Sequence, residues 1–283
     1  MVKSAESKTG PSAPPSRVPS PSTYPRVIYE RNQLVEVTCQ LRYPPILMIS
    51  AKPPAGFQEM IRAEFPGFRD LPNGNMGVPK GVPPEVAALM QANVPSSGRV
   101  YEFFSSDPEW KVTLANNALA LTTTRYPKWE AFRQKLSGPL AALISEYKPT
   151  YFSRVGLRYV DAIRKSRVEL QDVAWSELVA PHLACTLGTE MANAVLQTTA
   201  ESIIRLDDGN GMVRIVAGLA EFDDAGTKEP CFLLDSDFFT DKRTATKDID
   251  DTLNYFNLQA RNFFRWSIRE RLHNAMGPHS LEG

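Results

Sequence analysis

Hydrophobic and polar residues alternate from Leu34 to Tyr43. Val35, Val37, Cys39, Leu41 and Tyr43 fall on one face, and Glu36, Thr38, Gln40 and Arg42 on the other. A period of two predicts a half-buried strand, and Pro44-Pro45 ends it. Phe57, Ile61 and Phe65 then recur at helical spacing, which predicts a helix over Pro54 to Phe65 stopped by Pro66-Gly67. Arg99 to Phe104 and Trp110 to Thr124 read as an antiparallel pair about the turn Ser105 to Pro108. Lys128 to Tyr147 follows as a helix, its apolar side carried by Trp129, Phe132, Leu136, Leu140, Leu143 and Ile144, with a kink expected at Gly138-Pro139. Phe152 to Ile163 returns to strand.

The second half repeats this grammar. A helix is predicted over Trp175 to Leu187, then strands over Ala194 to Leu206, Met212 to Phe222 and Cys231 to Phe239. Asp207 to Gly211 supplies a hairpin turn. A long final helix opens on Asp248, Asp250 and Asp251, which complement the positive helix end. Its apolar stripe is Leu253, Phe256, Ala260, Phe264, Ile268 and Leu272, and Gly277-Pro278 terminates it.

The fold class expected is α+β: curved antiparallel sheets with helices packed on one side and a long C-terminal helix. Each half joins a helix to an antiparallel meander, and each holds a Leu-Arg-Tyr, at 41–43 and 157–159, which hints at two related halves. The organisation expected is a disordered Pro/Ser-rich tail over 1–23 and a first half over 24–165 with a Pro/Gly-rich insertion at 69–98. A second half over 166–279 ends in the long helix.

Composition narrows the function classes. The chain has 283 residues, of which 42% are hydrophobic, enough for a sizeable core. Lys plus Arg equals Asp plus Glu at 32 each, so a general nucleic-acid or membrane-surface binder is not favoured. Cys39, Cys185 and Cys231 are scattered, with no zinc spacing, and suit a reducing compartment. No apolar run approaches a membrane span and no secretory h-region opens the chain, so the localisation expected is cytoplasmic.

The polar strand positions hold the candidate chemistry. Arg154 and Arg158 share a face with Gly156 between them, Arg42 occupies the matching place in the first Leu-Arg-Tyr, and Glu201 with Arg205, and Asp235 with Asp237, share faces of their strands. Three uses are open: a mutually neutralising ion-pair network; a guanidinium clamp for carboxylate or phosphate through Arg42, Arg154, Arg158 and Arg205; and a Mg²⁺ site at Asp235 and Asp237 with Glu201 or Glu221. Phosphate-loop, nucleophile-elbow, zinc-protease and dinucleotide motifs are missing from the sequence, and none of His182, His273 and His279 stands in a catalytic setting.

Four segments together resemble a sporadically distributed family of bacterial proteins of about this length. They are Leu34-Val35-Glu36-Val37 through Leu41-Arg42-Tyr43-Pro44, Ser153 through Asp161, Leu234-Asp235-Ser236-Asp237, and the helix from Leu253 to Gly277. The resemblance implies a cytosolic accessory protein, patchily distributed and so fitting mobile or defence-associated DNA. It carries no catalytic residue across. Asp161 stands where the family often has Asn.

The function expected is a non-catalytic binding or regulatory module acting through a protein partner, with Phe263, Trp266, Arg265 and Arg269 of the last helix as contacts and oligomerisation open. No cofactor is expected. The alternative is a phosphate- or nucleotide-binding protein or a Mg²⁺-dependent hydrolase on the arginine/aspartate face.

Overall fold

The computed structural model describes residues 23–71, 99–206, 209–224 and 226–280. The expected tail before Thr23, the insertion beyond Leu71, and Asp207-Asp208 of the hairpin turn lie outside them. The alternating segments pair as antiparallel strands: β1 (Val27–Tyr29), β2 (Leu34–Arg42), β3 (Gly67–Leu71), β4 (Val100–Phe104), β5 (Trp110–Ala115), β6 (Ala118–Thr123), β7 (Arg154–Arg164), β8 (Thr198–Arg205), β9 (Met212–Asp224), β10 (Thr227–Thr240) and β11 (Pro278–Ser280). Nine of them form one sheet in the order β3-β4-β5-β6-β2-β7-β10-β9-β8, and β1 pairs with β11 as a separate ribbon. The helices are α1 (Leu47–Ala51), α2 (Ala55–Ile61), α3 (Trp129–Tyr147), α4 (Pro181–Ala184), α5 (Ile249–Ser267) and α6 (Glu270–Ala275).

The architecture is α+β, and the two halves repeat a topology. Strand β2 is followed by the meander β4-β5-β6, which returns to pair with β2, and then by the 19-residue α3. Strand β7 is followed by β8-β9-β10, which returns to pair with β7, and then by the 19-residue α5. Central strands β2 and β7 pair with Arg42 opposite Arg154, Gln40 opposite Gly156 and Thr38 opposite Arg158. Superposing the two Leu-Arg-Tyr tripeptides in that register places a pseudo-two-fold between Gln40 and Gly156. The N-terminal turns of the two long helices are tied by Trp129 Nε1 donating to Asn254 Oδ1 at 2.8 Å and by an Arg133–Asp250 ion pair at 2.8 Å.

Because side chains alternate across a pleated sheet, one row faces the helices and the other faces away. Leu41, Leu157, Phe238 and Val213 lie on the helix side and, with Phe132, Leu143, Phe256 and Phe263, belong to the main core. At about 25 cal/mol per Å² of apolar area, this shared burial is the main force holding helices to sheet. Helix α3 continues through Pro139, which is itself buried. Glycine is required where β9 meets edge strand β8: a Cβ on Gly218 would stand 1.9 Å from the Thr198 carbonyl oxygen.

Several expectations need correction. Trp110–Thr124 is two strands, because Asn116-Asn117 turns the chain between β5 and β6. The insertion starts later than expected, since residues 69–71 belong to β3. The helix expected over Trp175–Leu187 shrinks to α4 and flanking 3₁₀ turns. The final helix breaks at Ile268, whose extended backbone bridges Val179. There Ala180 N–H donates to Ser267 O at 2.9 Å and Arg269 N–H to Leu178 O at 2.8 Å. A strand-like pairing therefore outcompetes helix propagation at that residue.

Candidate functional site

The sheet face turned away from the helices gathers Arg42, Arg154, Arg158, Asp235 and Asp237, as their strand positions required. Arg158 sits opposite Thr38 and Asp237 in register and reaches diagonally to Asp235 with Nε and Nη2, at 2.7 and 2.5 Å. Arg154 donates to Asp237 at 2.7 Å and to Gln40 Oε1 at 3.2 Å, and its guanidinium lies over the Phe239 ring at 4.8 Å. Arg42 Nε bonds the same Gln40 oxygen at 2.9 Å. Burial pushes the Asp235 carboxyl up while the Arg158 fork pulls it down. Arg158 and Asp235 are both buried, so this is a closed, mutually satisfied pair.

Two members of the predicted sets stand apart. Arg205 lies on β8, three strands from Gly156 at about 4.8 Å per strand, so it joins no clamp with Arg154. Glu201 is separated from Asp235 by Val216 in the register, about 10 Å across two strand spacings, and bonds Arg214 at 2.7 Å. One Mg²⁺ with ligands near 2.1 Å does not span that gap. Among the described residues no cluster of three His, Cys, Asp or Glu is arranged to hold a metal.

Of the expected partner contacts, Phe263 is buried, Arg265 is half-buried, and Trp266 and Arg269 are exposed. Phe263 is core, packed against Phe238 and Trp266, and Trp266 stacks on His182 with centroids 3.7 Å apart. Arg269 donates to Ser176 O at 2.6 Å, and Arg265 to Glu270 and to Ile268 O. Phe264, expected on the apolar stripe, is half-buried and faces a cavity.

That cavity, of about 310 Å³, lies on the helix side of the sheet, on the opposite face from the arginine network. The sheet contributes Tyr159, Asp161, Ser236 and Phe238, and α5 contributes Asn257, Arg261, Phe264 and Arg265. Tyr24, Arg26 and Tyr29 close it from the N-terminal segment, Tyr126 and Trp129 from the start of α3, and His273 from α6.

Asp161 belongs to the inward row of β7 with Leu157, Tyr159 and Ile163, where an acid is out of character. It is 4% exposed, and its carboxyl has no hydrogen-bond partner among the described residues. Burial, reinforced by the charge of Asp235, pushes it up to about 8, so at neutral pH it carries its proton. A bulge in β2 lies opposite: the register slips between Leu34 and Glu36, with Leu34 paired to Asp161.

In the same cavity lining, Arg261 Nε is buried with no hydrogen-bond partner. Burial and then the neighbouring Arg26 depress the Arg261 guanidinium. Arg26 is itself anchored to Glu130 at 2.7 Å, and Arg265 lies over the Tyr24 ring at 5.2 Å. Tyr29 Oη and His273 Nδ1 share a hydrogen bond at 2.8 Å, and burial pushes the Tyr29 phenol up to about 12. Tyr159 Oη donates to Asn257 Oδ1 at 3.3 Å, and the Tyr126 ring meets Tyr159 edge-on.

A buried neutral carboxyl, an unpaired guanidinium nitrogen and aromatic walls form a recognition set: one donor–acceptor edge, one anion contact, several stacking surfaces. The strand pattern holds a signal for one of these that the expected site residues left out: an acid in the apolar row of β7. It did not signal the arginines, because the helix stripe alone does not say what its flank faces. Comparison with protein-family models finds no match, and comparison with curated proteins finds none either.

Proposed function

We propose that this chain is a non-catalytic binding module whose ligand is a small planar organic anion held in the α5 cavity. The observation that carries the reading is Asp161: a carboxyl buried to 4% exposure, without a partner, opening onto a cavity that also holds the unpaired Nε of Arg261. A buried polar group left unmade costs about 1–3 kcal/mol, so two in one cavity favour a ligand that satisfies both. A protonated carboxyl offers an O–H donor beside a carbonyl acceptor, the complement of a lactam edge such as a nucleobase carries. Arg261 and Arg26 suit a phosphate or carboxylate on the same ligand, and Tyr126, Trp129 and Phe264 suit its ring. A nucleotide is the class that joins these three properties. Regulation of a partner through ligand occupancy fits the position of the site between the N-terminal segment and both long helices.

A thermal-shift screen of nucleoside monophosphates against aromatic carboxylates tests the reading. A ligand at about a hundredfold above its Kd adds about 2.7 kcal/mol, which at about 2.1 cal/mol/K of unfolding entropy per residue is a rise of roughly 5 °C for a chain of this size. The rise is expected to vanish in Arg261→Ala and persist in Arg214→Ala. No stabilisation by either class, or stabilisation that survives Arg261→Ala and Asp161→Asn, overturns it.

A further inference from the structure

Strand β8 forms one edge of the nine-stranded sheet, and all of its last seven residues share a feature unusual for an edge: both faces are exposed while the strand stays regular. Ile203 is 62% exposed and Ile204 38%, and Leu196 just before the strand is 94% exposed. An uncovered edge with apolar side chains and unpaired backbone groups is a template for another strand. Nature usually blunts such edges with lysine or proline, and Thr198–Arg205 has neither.

We infer that β8 pairs antiparallel with β8 of a second copy of this chain, about a two-fold axis passing through Ile203. This proposal is independent of the cavity. A two-fold perpendicular to the sheet keeps the same face of both copies on the same side, so only registers that pair residues of one face are allowed. Centring on Glu201 sets Glu201 against its own copy, a like-charge clash. Centring on Ser202 sets Glu201 against Ile203. Centring on Ile203 sets Ile203 against Ile203 and Glu201 against Arg205 twice, once on each side of the axis. The outward row Glu201, Ile203, Arg205 is thus complementary to itself only in that register. Arg205 has no partner among the described residues, while Glu201 is half exposed beside Arg214 and can accept from both.

Sedimentation velocity of the full chain across micromolar concentrations tests this. A concentration-dependent dimer is expected. Ile203→Lys abolishes it, and Arg205→Glu, which sets like charges opposite Glu201 while leaving the Glu201–Arg214 pair intact, weakens it about tenfold or more. Circular dichroism of both variants should match the parent. In a Cys185→Ser background, Ile203→Cys should cross-link to itself under mild oxidation and Thr199→Cys should not. A monomer at every concentration, or a dimer indifferent to both substitutions, overturns the proposal, as does cross-linking through Thr199→Cys.

Discussion

Asp161→Asn isolates the energetic consequence of a buried, unpartnered acid. The folded carboxyl titrates at about 8 against 3.8 for the free group. Between those values the folded chain holds a proton that the unfolded chain has lost. Stability is therefore complete below about pH 4, falls as pH rises, and levels off above about pH 8. Each pH unit in that window removes about 1.4 kcal/mol, so from pH 5 to pH 8 the wild type loses about 4 kcal/mol through this group alone. Asparagine keeps the shape and hydrogen-bonding capacity and has no proton to lose. Urea unfolding from pH 5 to pH 9 should show the variant close to the wild type at pH 5 and more stable by a few kcal/mol at pH 8 and above. Parallel pH profiles for the two proteins would refute the buried-acid reasoning. A variant less stable at every pH would show that the carboxyl has a partner.

Two further outcomes follow from the sheet. Arg158→Ala leaves Asp235 buried without its counter-ion and should cost about 3–5 kcal/mol, whereas the pair Arg158→Met with Asp235→Leu should recover most of the loss. Equilibrium denaturation of both variants checks this, and equal losses would mean the pair is not self-contained. Gly218→Ala drives a Cβ against the Thr198 backbone and should destabilise by about 1–3 kcal/mol. Hydrogen exchange should then quicken first at the β8 amides, and protection unchanged there would refute the close approach.

Much of the fold was legible locally. Period-two alternation located β2, β7, β9 and β10, and the polar rows of those strands foretold which arginines and aspartates share a face. This works because side-chain direction in a strand is fixed by parity alone. The same rule places Asp161 in an apolar row, a signal present in the sequence although Asp161 is not among the expected site residues. The ending of α5 at Ile268 was not legible, because Val179, which competes for its backbone, lies far off in the chain. Phe263 and Phe264 exchanged roles for a similar reason: neighbouring helix positions differ by about 100° of rotation, and only the packed sheet decides which of them turns inward.

The sequence by itself determined the strand and helix periods, the charge-neutral composition and the doubling of Leu-Arg-Tyr. Tertiary structure decided how the guanidiniums are used. On one face of the sheet they meet aspartates from β10 and close into pairs. On the other, Arg261 of α5 and Asp161 of β7 line one cavity without a hydrogen bond or ion pair between them, and Glu130 and Glu270 are held by Arg26 and Arg265. Pairing depends on distances between elements remote in sequence, and parity within one element carries no information about them.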